Sequence, residues 1–562
     1  MTAAPPDALG APAGARLTAA GFLDEVAGRH GARVALRFPE ERVELRYDEL
    51  RQAARALARG LVGAGVAKGA RVALLLGNRP EWAVAWLAAG LVGAVVVPVS
   101  TFATPEERDW VLRHSDASAL LLQPGLAGRR FLDELRARHP AVASGAPGRL
   151  RCEALPSLRR VACVGLDAPD GAIEPWDAVL AQGADVSEGL LDALAAEVTP
   201  ADDALVIYTS GTTERPKGVV HLQRAPILQS WRFAELMRLV PDDVVLTAQP
   251  LFWTAGIAMS LGATLAAGAR LVLQEVFEPG RALELIERER VTAVHAWPHQ
   301  EKALGEHPDA ARRDLRSVRK TRWSSPLAKL AGLAEDRWGM DASYGLSETF
   351  TIVTALPADA PAETRAASSG RPLPGTVLRI LDPETGAPLP PGAHGEIAVR
   401  APTLMRGYAK QAPEAAFDAD GFFRTQDGGS LDAEGHLHWT GRLSGLIKTG
   451  GANVSPVEIE RALAAHPALR AALAVGVPHP TLGEAVVLCA VAREGEAPEP
   501  DAIRAFLRER LAAYKVPRRV LLFRPDELSY TANQKIQLGP LRAAALARLE
   551  AERADIDGHT YG

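Results

Sequence analysis
The apolar runs RVALLLG (Arg71–Gly77) and GAVVVPVS (Gly93–Ser100) constrain this chain more than any other feature, because a helical stretch starting near Pro80 separates them. A strand that is apolar on both faces must be covered on both. Strand–helix–strand alternation provides that cover by laying helices over a parallel sheet. Ahead of the first run, Leu50, Leu57 and Leu61 recur at helical spacing beside Ala53 and Ala54, so the spacing predicts a helix from Tyr47 to Gly60, ended by Lys68-Gly69.

The pattern changes between Ala367 and Val399, where TVLRILD and GEIAVR are separated by PETG and PPGAHG, the mark of short antiparallel strands joined by turns. After Gly441 alternation returns on a smaller scale. Ser455, Pro456 and Glu458 make a capping box with proline at the first helical position. RAALAVGV and AVVLCAVA follow as strands, and another helix opens near Asp501. Single cores stop growing near ~250–300 residues, so the 562 residues divide into a tail over 1–16, a large unit over 17–442, a hinge and glycine-rich loop over 443–452, and a small unit over 453–562. The large unit is expected to be α/β, two layered α/β subdomains with a small β-barrel-like part, and the small unit α+β.

Composition excludes several classes. A formal charge of −5 argues against a nucleic-acid partner. No apolar stretch approaches the ~18 residues of a membrane span. Cys152, Cys163 and Cys489 have neither metal-ligand spacing nor disulfide density, and the N-terminal tail lacks the basic start and apolar run of a signal peptide. The expectation is a cytoplasmic protein.

The chemistry begins at Tyr208–Gly218, YTSGTTERPKG, which follows an apolar run. The hydroxyls of Thr209, Ser210, Thr212 and Thr213, with Gly211 and Lys217, suit a polyphosphate: backbone N–H groups and hydroxyls surround the oxygens and the lysine neutralises charge. Walker spacing is absent, and the run taken alone also reads as a polar turn. Glu348, after a Tyr-Gly pair, could hold a hard cation such as Mg²⁺, or YGLSE could be a helix start capped by Ser347. Asp427, after Thr425 in an expected loop, offers a carboxylate to a diol, or else Asp427-Gly428-Gly429 is a turn. No HExxH pair, Cys/His cluster or GxSxG elbow is present; His295, His299, His436 and His438 read as structural or surface groups.

Together with PLFWTAG (Pro250–Gly256), YGLSE (Tyr344–Glu348), GEIAVR (Gly395–Arg400), GFFRTQD (Gly421–Asp427), GRLSGLIKTGGANVSPVEIE (Gly441–Glu460) and TANQKIQ (Thr531–Gln537), the loop resembles the AMP-forming superfamily of acyl-CoA synthetases, luciferases and adenylation domains, over roughly Leu17 to Leu541. The resemblance implies activation of a carboxylic acid by ATP with Mg²⁺, then transfer to coenzyme A. It makes Lys217 a phosphate ligand, Glu348 the Mg²⁺ ligand, Tyr344 an adenine platform, and Asp427 and Arg442 the ribose contacts. Lys535 becomes the lysine bridging carboxylate and α-phosphate, and Gly450 and Gly451 the lining of a pantetheine tunnel. Trp253, Trp297 and Trp323 fall in segments resembling acyl-pocket walls and favour a carbon-rich acid, fatty, alicyclic or aromatic; they also read as core. A homodimer is compatible with the resemblance.

Departures from the family pattern keep other readings open. Glu214 stands in the phosphate loop where glycine is usual. Gln426 and Gln534 replace glycines, which would crowd the backbone wherever φ must be positive. Gly445 occupies the hinge position, where aspartate or lysine is usual, and Trp323-Ser324-Ser325-Pro326 replaces a glycine-rich turn. One alternative is an adenylating enzyme whose acceptor is a carrier-protein thiol or an amine. Another is a nucleotide-binding homologue that has lost catalysis.

Overall fold
The structure of the protein, a computed structural model, describes residues 10–209, 216–383, 385–443, 447–454, 456–463, 466–529 and 536–562. Both apolar runs become parallel strands, Arg71–Leu75 and Val95–Pro98, in the middle of an eight-stranded sheet. Asp203–Thr209 lies parallel to Val95–Pro98, while Lys217–Leu222 and Gly407–Tyr408 extend that edge antiparallel. A five-stranded sheet is built from Ala293–His295, Val244–Thr247, Arg270–Leu273 and Val34–Phe38 in parallel, closed by antiparallel Val43–Arg46.

The helix Pro80–Leu91 touches strands of both sheets, and every residue in it except Glu81 is buried. That position explains a helix apolar on all sides. The preceding helix spans Tyr47–Gly63, short of the predicted end at Lys68-Gly69. Backbone bonds from Val66 N to Leu61 O (2.8 Å) and from Gly65 N to Val62 O (2.9 Å) close its last turn in a Schellman motif, which stops the helix before the lysine.

The expected β portion comprises two antiparallel sheets. One joins Val377–Leu381, Gly395–Arg400, Phe423–Leu431 and Leu437–Arg442; the other joins Ser343–Leu346, Thr351–Ala355 and Arg371–Pro372. They share a core of Tyr344, Val353, Ile380, Ile397, Val399 and Leu437. In the small unit, Leu469–His479 and Gly483–Ala492 pair along their length, with Arg519–Leu522 parallel to the second. Helices Pro456–Leu463 and Pro500–Arg508 contribute to one of its cores and Leu538–Ala551 to another. Ser455, the expected cap, lies outside the described residues. So do residues 1–9 of the tail; residues 10–16 have neither helix nor strand.

Candidate functional site
Strands Asp203–Thr209 and Lys217–Leu222 pair antiparallel with Thr209 opposite Lys217, fixing both ends of the phosphate-loop candidate. Ser210, Gly211, Thr212, Thr213 and Glu214 lie outside the described residues. The flanks are braced by the Pro105–His114 helix: His114 Nδ1 lies 2.8 Å from the Tyr208 hydroxyl, and the Trp110 indole N–H donates to the Pro216 carbonyl at 3.4 Å. Lys217 Nζ stands 5.1 Å from the centre of the Tyr408 ring, a cation–π distance. The Tyr408 hydroxyl in turn donates to Glu348 Oε1 at 2.9 Å. Lys217 and Glu348, far apart in sequence, thus meet through Tyr408.

Sequence reading missed Tyr408. Its place depends on the short strand Gly407–Tyr408 pairing with Val219 and Val220, a register that no local spacing encodes.

Glu348 is not at an α-helix start. YGLS enters as the end of a strand, Ser343–Leu346, and Ser347–Thr349 makes one 3₁₀ turn. Gly345 is required there, since a Cβ would stand 1.7 Å from the Thr351 carbonyl oxygen. The next residues, Phe350 and Thr351, both have positive φ (50° and 83°). For a bulky and a β-branched side chain this is strained backbone, of about 1–3 kcal/mol each, a feature that clusters at functional sites.

The Tyr344 hydroxyl donates to Asp427 Oδ2 at 2.8 Å, and both residues are buried. Asp427 lies inside the strand Phe423–Leu431, opposite Arg442 in the ladder, rather than in the expected loop. Pairing on both edges holds that segment extended despite its two glycines. The Arg442 side chain, and Gly445, Gln534 and Lys535 entirely, lie outside the described residues. Gln426 does adopt positive φ, 60°. Its N–H donates to Glu396 Oε1 (2.9 Å) and its carbonyl accepts from Leu443 N (2.7 Å), so two bonds hold a conformation that glycine would adopt freely. Glu396 is itself paired with Arg424.

A cavity of about 1090 Å³ lies between the large and small units, lined by Trp253, Trp297, Phe102, Gly450, Tyr514 and Arg518 among others. Its aromatic groups form a chain: Trp297 to Trp253 at 6.2 Å, Trp253 to Phe102 at 6.0 Å, and Phe102 to Tyr514 at 6.5 Å between centroids. Gly451, at φ +81°, lies flat against Trp297: a Cβ would approach the ring to 2.7 Å. The Trp297 indole N–H is buried with no hydrogen-bond partner among the described residues. Trp253 leads into a π-helix, Gly256–Gly262, a rare form that often marks functional sites.

Trp323 does not join this group. It is 37% exposed and borders a separate, smaller cavity with Trp338. Of the three indoles, Trp253 and Trp297 line the large cavity and Trp323 the smaller one. His295 is fully buried, its pKa held down at about 4 by burial, with Nδ1 3.3 Å from Ser260 Oγ. His436 and His438 both contact Asp432, and the three cysteines are buried and unpaired. No helix among the described residues is long and apolar enough to cross a membrane.

Family models for the AMP-binding enzyme and for the AMP-binding enzyme C-terminal domain match residues 23–409 and 458–535. The chain is 35% identical over 506 residues to a feruloyl-CoA synthase from an Amycolatopsis species, covering 89% of this chain and 93% of the relative. It is 33% identical over 527 residues to the indoleacetate–CoA ligase of Aromatoleum aromaticum, covering 93% and 97%. Among solved structures, the amide bond synthetase McbA of Marinactinospora thermotolerans superposes with a TM-score of 0.74 at 30% identity, over 93% of this chain and 99% of that one.

Proposed function
The chain belongs to the AMP-binding enzyme family, among its acyl-CoA synthetases and ligases, and from that premise we propose that it activates a carbon-rich carboxylic acid with ATP and passes the acyl group to coenzyme A. One observation carries the reading: a polar cluster of Lys217, Tyr408 and Glu348 beside the phosphate-loop flanks coexists with an aromatic cavity walled by both units. The substrate carboxylate oxygen attacks the α-phosphorus, pyrophosphate leaves, and an acyl-adenylate forms. The coenzyme A thiolate then attacks the acyl carbon and AMP leaves. Neither step needs a protein nucleophile; both need positioning and charge stabilisation.

In this reading Thr209, Lys217 and the loop between them hold the polyphosphate. Tyr344 and Asp427 orient adenine and ribose, with Arg442, and Lys535 bridges the attacking carboxylate and the α-phosphate. The donor set suits Mg²⁺: Glu348 offers a carboxylate, and no group of three acidic, histidine or cysteine side chains among the described residues forms a metal cage. Mg²⁺ characteristically takes one or two carboxylates and completes its shell with phosphate oxygens and water. Bound there, it would neutralise polyphosphate charge. Trp253 and Trp297 support an apolar or aromatic acyl group.

The test is an acid panel, aromatic, alicyclic and fatty, incubated with ATP, Mg²⁺ and coenzyme A. The reading expects AMP, pyrophosphate and acyl-CoA; absence of ATP turnover with every acid would overturn it. A second reading, an amine acceptor, draws on the likeness to an amide bond synthetase. It would prevail if acyl-adenylate accumulated with coenzyme A present and was consumed on adding amines.

A further inference from the structure
The proposed chemistry gives no part to a buried lysine that ties the two units together. Lys515 ends a short 3₁₀ turn, Ala513–Lys515, and its side chain is 4% exposed. Its Nζ donates to Glu458 Oε1 at 2.6 Å, within the small unit, and to Glu107 Oε1 at 2.9 Å, on the Pro105–His114 helix of the large unit. Burial opposes its charge, but Tyr514, Glu107 and Glu458 outweigh burial and hold its pKa above the ordinary lysine value. The ammonium therefore stays charged, and the contact between units is an ion pair withdrawn from water.

Two features connect this pair to the site. Tyr514, next in sequence, reaches Phe102 and through it Trp253, so the anchor borders the cavity that Gly450 also lines. The helix that supplies Glu107 also supplies Trp110 and His114, which brace the phosphate-loop flanks. One rigid element therefore holds both the nucleotide end of the large unit and the grip on the small one.

We infer that Lys515 is a positioning residue for acyl transfer: clasped by Glu107, it fixes the small unit in the orientation that sets Gly450 and Gly451 against the Trp297 side of the cavity. This rests on the two-step reading above. Activation of the acid would not use the clasp, because that step is assigned to Lys535 at the α-phosphate and gives no part to Lys515 or Glu107.

Glu107→Gln isolates the effect. Glu107 Oε2 accepts the Thr104 N–H (2.7 Å) while Thr104 Oγ1 accepts the Glu107 N–H (3.2 Å), a capping box that glutamine preserves while removing the charge. With an acid that the wild type accepts, acid-dependent ATP–pyrophosphate exchange should stay within about twofold. Single-turnover transfer from preformed adenylate to coenzyme A should slow about tenfold or more, as expected for truncating one partner of a buried charge pair. Lys515→Arg should recover part of the transfer rate that Lys515→Met loses. Equal slowing of both steps, or an unchanged transfer rate, would overturn the inference while leaving the ligase reading intact. Small-angle scattering of the full chain judges the clasp without any substrate: Glu107→Gln should broaden the distance distribution relative to wild type, and identical curves would overturn the clasp even if no acid were ever turned over.

Discussion

The proposed nucleotide side and the proposed acceptor side of this molecule are built by different means. On the nucleotide side, polar groups are fixed by strand register: Thr209 opposite Lys217, Asp427 opposite Arg442, and Tyr408 bridging Lys217 and Glu348. The acceptor side is an aromatic chain closed by a glycine turn and a buried ion pair, and half of it comes from another unit. The first arrangement depends on strand pairing and side-chain bonds inside the large unit, whereas the second exists only while two units are apposed. Substitutions on the first side should therefore damage activation, whereas those at Gly451 and the Lys515 ion pair should fall on transfer.

The largest break is expected on the nucleotide side. Lys217→Ala should lower acid-dependent ATP–pyrophosphate exchange by about 10²–10³-fold, the usual cost of removing one preorganised stabiliser of transition-state charge. Melting temperature should hold, because Lys217 is the first residue of its strand and, among the described residues, its Nζ stands against an aromatic face. On the acceptor side, Gly451→Ala drives a methyl into Trp297 at a positive-φ position. Stopped-flow measurement of the transfer step should show about a 10²-fold loss, typical of ångström-scale misplacement, with exchange nearly unaffected. Similar losses in both steps would dissolve the contrast between the two sides.

Smaller effects are expected at Tyr344, Asp427 and Gln426. A double-mutant cycle with Tyr344→Phe and Asp427→Asn, read as the Michaelis constant for ATP, should give a coupling of about 1–2 kcal/mol, as for directly bonded partners. Independent effects would separate adenine from ribose recognition. Gln426→Gly should raise thermal stability by about 0.5 kcal/mol, since relief of a left-handed backbone slightly exceeds the added entropy of an unfolded glycine. The bonds to Glu396 and Leu443 use only the Gln426 backbone and survive the change.

The parallel sheets and the helix between them could be read because Val72–Leu76 and Ala94–Val99 are apolar throughout, and only burial on both faces accommodates that. The positive φ at Gln426 could be anticipated from a glycine-like position. Asp427 could not be placed, because Asp-Gly-Gly has turn chemistry and only pairing on both edges keeps it extended. Tyr408, Glu107 and Lys515 left no local signal, for their roles lie in contacts between segments 60 and 408 residues apart. Trp323 falls with the other indoles in segments resembling acyl-pocket walls, and exposure separates it from them.

The proposed activation of the acid cleaves ATP between its α- and β-phosphates. Product analysis after reaction of the purified chain with an accepted acid, ATP, Mg²⁺ and coenzyme A tests it most directly. The prediction is AMP and pyrophosphate in equal amounts with acyl-CoA; formation of ADP and orthophosphate alongside acyl-CoA would contradict it.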